Sequence, residues 1–176
     1  VGIVNDLRMA TETLRRIVES SDGLEVAWTA VDGHDAVAKT AADCPDLILM
    51  DLVMPEMDGA EATSVIMKSH PCPILVVTAT IEGNARRVVK ALAGGAVDAV
   101  ETPTMGLDGS IRGGAPLLDR IAKLQRDPEG FKKLSKSPRI QAAISAGSSE
   151  TTISSHFRPS VVLLGASTGG PQSLRQ

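Results

Sequence analysis

Aromatic residues are nearly missing from this 176-residue chain, which holds one Trp, two Phe and no Tyr. A protein that stacks bases needs such platforms, and a net charge of -3 leaves no basic footprint for a phosphate backbone. No nucleic-acid partner is expected. Cysteine is scarce as well. Cys44 and Cys72 show no C-x-x-C spacing and no secretory leader stands before them, so a reducing, cytoplasmic setting with two unpaired thiols is expected. No apolar run approaches the ~20 residues that a membrane helix needs, so no membrane insertion is expected. Val1 already lies inside an apolar run, and the chain is expected to lack its true start. His34, His70 and His156 have no metal-ligand spacing and read as solvated.

What the chain does have is a steady alternation of short apolar runs with helical patterns. Val1 to Val4 reads as a strand, and Leu14, Ile17 and Val18 then recur at helical spacing between about Met9 and Ser20. Leu24 to Ala30 and Asp35 to Ala42 form a second strand and helix, and Leu47 to Met50 and Ala60 to Lys68 a third pair. Ile74 to Thr78 is a fourth strand, followed by a helix from Asn84 to Leu92 that Gly94-Gly95 closes. Val97 to Val100 is a fifth. After a glycine-rich connection Pro116 starts a last helix, with Leu117, Leu118, Ile121 and Leu124 on one face. Five such units imply an α/β fold with a doubly wound, five-stranded parallel sheet.

Beyond Leu124 the composition shifts to Ser, Lys and Arg, with Pro128 and Pro138, as in a linker. Ile140 to Ile144 fits one short helical turn, and Lys132, Lys133 and Lys136 keep the segment soluble. Val161 to Leu164 then reads as the first strand of a second α/β domain. The expected division is 1–125, 126–158 and 159–176.

Two motifs carry chemistry. Asp51-Leu-Val-Met-Pro-Glu-Met-Asp-Gly59 follows the apolar run Leu47 to Met50 directly, so Asp51 stands at the carboxyl end of a buried parallel strand, where open α/β sheets place their sites. Pro55 and Gly59 force a turn, which leaves an exposed carboxylate at a loop mouth, fit to bind a metal or act as a nucleophile. Met50, Met54 and Met57 around it read as gap-filling core. Later, Gly165-Ala-Ser-Thr-Gly169 fits G-x-S-x-G after a strand, with Pro171 opening a helix, the setting that exposes a nucleophilic serine. A phosphate loop at a helix N-terminus is the competing reading of that turn.

The D-x-x-M-P-x-M-D-G run resembles the receiver domain of two-component response regulators, in which such an aspartate accepts a phosphoryl group from a histidine kinase. Receiver, basic linker and G-A-S-T-G-G in this order resemble the CheB family of chemoreceptor glutamate methylesterases, some of which also deamidate glutamines. The resemblance implies the flavodoxin-like strand order 2-1-3-4-5, phosphorylation at Asp51, and Ser167 as esterase nucleophile with its His and Asp partners beyond Gln176. It implies Mg²⁺ bound by Asp6, Asp51 and the Val53 carbonyl, with Asn5 acting through a water, and Thr78 as the switch hydroxyl. Two positions depart from the pattern. Thr102 stands where receivers usually carry a lysine that pairs with the phosphoryl oxygens, and Ala99 where they carry a switching aromatic; Arg86, Arg87 or Lys90 are candidates for the missing cation. The implied partners are a CheA-type histidine kinase and a methylated chemoreceptor or, as the V-N-D and D-A-V-E-T-P runs suggest, a Wsp-type receptor of surface sensing. Two alternatives stay open: a pseudo-receiver that docks without efficient phosphorylation, and a receiver tethered to an unrelated α/β output domain. The isomer at Pro103 is left open.

Overall fold

The computed structural model describes residues 1–126. Five short apolar runs become the strands β1 (Gly2–Val4), β2 (Trp28–Ala30), β3 (Ile48–Met50), β4 (Ile74–Thr78) and β5 (Asp98–Glu101). They pair in parallel in the order β2-β1-β3-β4-β5, the doubly wound arrangement expected. Between them run the helices α1 (Arg8–Glu19), α2 (Gly33–Ala42), α3 (Gly59–Ser69) and α4 (Ala85–Ala93).

The period of two in a strand divides the core into two layers. Val4, Ile48, Met50, Ile74 and Val76 point into a cluster completed by Ala62, Ile66, Met67, Val88 and Ala91 from α3 and α4. Ile3, Leu49, Leu75 and Val77 point the other way, against Leu14, Ile17 and Val18 of α1. Each such side chain removed from water contributes about 1.5–3 kcal/mol, so both faces of the sheet are held. Met50 and Met54 are buried in the first cluster and Met57 packs against it, as read. Trp28 packs on that cluster too, its ring covering Gly2 and its Nε1–H donating to the Asp43 carbonyl at 2.9 Å. The one aromatic among the described residues is thus a structural group at a sheet edge.

Three expectations are corrected. The second strand covers only Trp28–Ala30, not Leu24 to Ala30, because β1 offers ladder partners only from Gly2 to Val4; Leu24 and Val26 serve instead as packing for the second cluster. The glycine-rich connection is a hairpin, β6 (Thr104–Met105) and β7 (Ile111–Arg112), antiparallel with Thr104 opposite Arg112. Its turn is set by Gly109 at φ +78 and by a bond from the Gly109 N–H to the Gly106 carbonyl. The last helix, α5 (Gly114–Arg126), starts two residues before Pro116, which still falls in the first turn where its missing N–H costs nothing. Leu117 and Ile121 are buried in the second cluster, and Leu118 and Leu124 lean on it.

The α4 end behaves as read, with Gly95 at φ +112 and the Gly94 N–H donating to the Lys90 carbonyl. All described peptide bonds are trans. His34 and His70 are exposed. Cys44 and Cys72 are free thiols that face each other, and burial, with Cys44 beside it, pushes the Cys72 thiol up. Among the described residues no helix is long and apolar enough to cross a membrane.

Candidate functional site

Because β1, β3 and β4 run parallel, their carboxyl ends reach the same sheet edge and deliver Asn5, Asp51 and Thr78 side by side. All three are buried, Asp51 at 8% exposure, Asn5 at 3% and Thr78 at 0%. The carboxylate expected at the surface of a loop is thus recessed. It is covered because the chain beyond it folds back and because Asn5 lies against it. Asp51 Oδ1 accepts the Leu52 N–H at 2.7 Å and, more loosely, the Val53 N–H at 3.4 Å. Asp51 Oδ2 accepts from Asn5 Nδ2 at 3.2 Å, while Asn5 Oδ1 accepts the Leu7 N–H at 2.8 Å. One amide thereby links the carboxylate to the first turn after β1.

Burial pushes the Asp51 carboxyl above its ordinary value; the Leu52 and Val53 amides oppose this, and the Asp6 charge adds to it.

The loop from Leu52 to Asp58 is closed by a backbone contact that only glycine allows. The Gly59 N–H donates to the Leu52 carbonyl at 3.2 Å, and a Cβ on Gly59 would stand 1.8 Å from the Asp51 carbonyl oxygen. Within the loop Glu56 takes φ 60. Asp58 then caps α3 by accepting the Glu61 N–H at 2.7 Å. Lys90 of α4 reaches back to Glu61 at 3.1 Å and Asp58 at 3.5 Å. This candidate for the missing cation is therefore already engaged, whereas Arg86 and Arg87 are exposed and without an ion pair among the described residues.

Asn84, which the sequence showed only as the opening of a helix, proves to hold Thr78. Its Nδ2 donates to Thr78 Oγ1 at 2.9 Å and to the Thr80 carbonyl at 3.1 Å, so its side chain makes no cap to α4. No sequence pattern marked this pair, since the two residues meet only once the β4–α4 turn has formed. The half-buried Thr102 joins from β5, its N–H donating to the Thr78 carbonyl at 2.9 Å.

For a cation the chain offers the carboxylates of Asp6 and Asp51 and the carbonyl of Val53, an exposed residue. No three His, Cys, Asp or Glu side chains gather among the described residues. An all-oxygen set of two acids and one carbonyl fits a hard ion that keeps several waters, as Mg²⁺ does. Asn5, read as orienting a metal-bound water, has both amide ends engaged by Asp51 and Leu7 in this arrangement. Ser167, the linker and the strand at 161–164 lie outside the described residues.

Residues 1–105 match the family of response regulator receiver domains. A protein-glutamate methylesterase/protein-glutamine glutaminase of Burkholderia thailandensis is 43% identical over 174 residues, covering 99% of this chain and 48% of that protein. The chain therefore spans about half the length of the curated relatives it matches. Among solved structures, the response regulator domain of CheB from Thermotoga maritima superposes with a TM-score of 0.54 at 31% identity, covering 82% of this chain and 94% of that one. A chain of the CheX–CheY complex with BeF3 and Mg²⁺ from Borrelia burgdorferi gives a TM-score of 0.57 at 28% identity, covering 70% and 86%.

Proposed function

Since the chain belongs to the response regulator receiver family, on its CheB-type branch, we propose that Asp51 accepts a phosphoryl group from a CheA-type histidine kinase and so controls a methylesterase that follows in the same protein. The observation that carries this reading is the recessed Asp51 carboxylate, held by the Asn5 amide and the Leu52 N–H beside Asp6. Asn5 and the two amides fix the carboxylate, so little orientation is lost when it attacks phosphorus. Mg²⁺, when bound at Asp6, Asp51 and the Val53 carbonyl, supplies the positive charge that lets two anions meet. Thr78 Oγ1 accepts from Asn84 Nδ2, which leaves its O–H to donate to a phosphoryl oxygen in this reading.

The receiver is taken as 1–125, the linker as 126–158 and the esterase as starting at 159. In that esterase Ser167 would attack the methyl ester of a receptor glutamate, helped by a His and an Asp further along. The receptor would be a methylated chemoreceptor or a Wsp-type relative, and the protein cytoplasmic. A second reading, a receiver that docks without efficient phosphorylation, has in its favour the amide of Asn5 where most receivers carry an acid and the uncharged Thr102.

Incubation of the chain with acetyl phosphate and Mg²⁺, followed by intact-mass measurement, is expected to show one added phosphoryl group, absent without Mg²⁺ and absent in Asp51→Asn. No adduct on the wild type, or the same adduct on Asp51→Asn, would favour the docking reading.

A further inference from the structure

Thr78 is fully buried, yet its hydroxyl carries a proton that meets no acceptor among the described residues; the bond at Oγ1 is one that it accepts, from Asn84 Nδ2 at 2.9 Å. A third group settles which way that bond runs. The same Nδ2 lies 3.1 Å from the Thr80 carbonyl, which can only accept, so this end of the amide is its NH2 and Thr78 Oγ1 is held as an acceptor. The Thr78 O–H is left for another partner.

Asn84 makes these bonds instead of serving its own helix. It occupies the N-cap position of α4, where an asparagine side chain ordinarily accepts an amide of the first turn, and here it makes no such cap. No acidic residue in that turn compensates, and Arg86 and Arg87 put positive charge at the end of the helix that disfavours it. The side chain is turned back on β4, and the turn that brings it there is tied by the Asn84 N–H to the Thr80 carbonyl at 3.3 Å. A cap forgone in this way is a local preference of the kind that functional sites override.

Thr78 and Asp51 meet at the end of one ladder. β3 and β4 pair through Met50 opposite Val76, so Asp51 leaves β3 one residue past that pair and Thr78 ends β4 two residues past it. Neighbouring strands stand about 4.8 Å apart and rise about 3.3 Å per residue, which puts the two backbones roughly 6 Å from each other. The Thr102 N–H bond to the Thr78 carbonyl at 2.9 Å and the pairing of Thr78 with Glu101 hold the Thr78 backbone. The hydroxyl proton is the part of the residue still free to be aimed.

Resting on the reading of Asp51 as phosphoacceptor, we propose that Asn84 is a positioning residue for phosphoryl transfer, acting through Thr78 by keeping its oxygen as an acceptor and so reserving its proton for a phosphoryl oxygen. In the transfer one Asp51 carboxylate oxygen forms the new O–P bond. The bond from phosphorus to the donor breaks, and its electron pair leaves on the donor, which is acetate when acetyl phosphate is used. Thr78 keeps its proton throughout and offers it only as a hydrogen bond to a peripheral oxygen.

The test follows adduct formation by intact mass on the full chain with acetyl phosphate and Mg²⁺, at a temperature below every variant's unfolding midpoint. Asn84→Asp keeps the shape but presents carboxylate oxygens, so Thr78 becomes the donor and its proton is engaged; adduct formation should slow roughly tenfold, as in Thr78→Val. Asn84→Ala, which leaves the proton free but unaimed, should fall between Asn84→Asp and the wild type. In the Thr78→Val background Asn84→Asp should change nothing further, a coupling that neither an added charge nor a loosened α4 turn would give. The proposal is overturned if Asn84→Asp or Thr78→Val reacts like the wild type, or if Asn84→Ala is as slow as Asn84→Asp. It is also overturned if Asn84→Asp slows the Thr78→Val protein as much as it slows the wild type. Absence of any adduct on the wild type would instead remove the phosphoacceptor reading itself, and Asn84's role with it.

Discussion

Asp51 sits in a place that disfavours its own charge. The folded protein holds its carboxyl above the ordinary value because burial outweighs the Leu52 and Val53 amides and Asp6 adds repulsion. A group whose pKa is raised on folding contributes stability that is fully present below the ordinary carboxylate value and is lost as pH rises through the raised value. Charge on Asp51 therefore weakens the fold. Asp51→Asn, which keeps the shape and drops the charge, is expected to unfold at a higher temperature than the wild type at pH 7 in the absence of divalent cations. The gain should shrink as pH falls through the window between the raised and the ordinary value. Thermal melts followed by circular dichroism across that range check this; a variant equal to or less stable than the wild type at pH 7 would show that Asp51 is not strained by its surroundings.

At the scale of elements, the strand ends position the site and the loop after β3 closes it. Gly59 is the point where this closure admits no side chain, since a Cβ would stand 1.8 Å from a backbone oxygen that cannot move without disturbing β3. Gly59→Ala is expected to cost roughly 2–3 kcal/mol or more and to displace Asp51, lowering both the unfolding midpoint and the yield of phosphoryl adduct. A melt and an adduct yield like those of the wild type would mean that the loop has room to spare. The sheet was readable because each central strand is dominated by Val, Ile, Leu or Met and runs into Asn, Asp or Thr. Asp51 was readable for the same reason, being the first charge after Leu47 to Met50. The β6–β7 hairpin was missed although Asp108-Gly109 is a strong turn signal, because its flanking strands are only two residues long and carry no alternation. Asn84 was missed because its partner Thr78 is defined by a turn and not by periodicity. The recess of Asp51 went unread since sequence shows which residue ends a strand but not what folds over it.

For the whole molecule, the described receiver accounts for how a signal would enter, and the proposed esterase for how it would leave. Both faces of the sheet are covered by helices, so under the proposed function a change at the Asp51 edge would reach a following domain through surface elements. The receiver would cover the esterase cleft until phosphorylation shifts the population toward an open arrangement. Methanol release from a methylated receptor by the full-length protein, with and without a phosphorylated CheA-type kinase, joins both halves in one assay. The account predicts that the kinase raises release by the wild type, leaves Asp51→Asn at its basal rate, and finds Ser167→Ala without activity in either condition. Release that responds to the kinase equally in the wild type and Asp51→Asn, or that persists in Ser167→Ala, would contradict it.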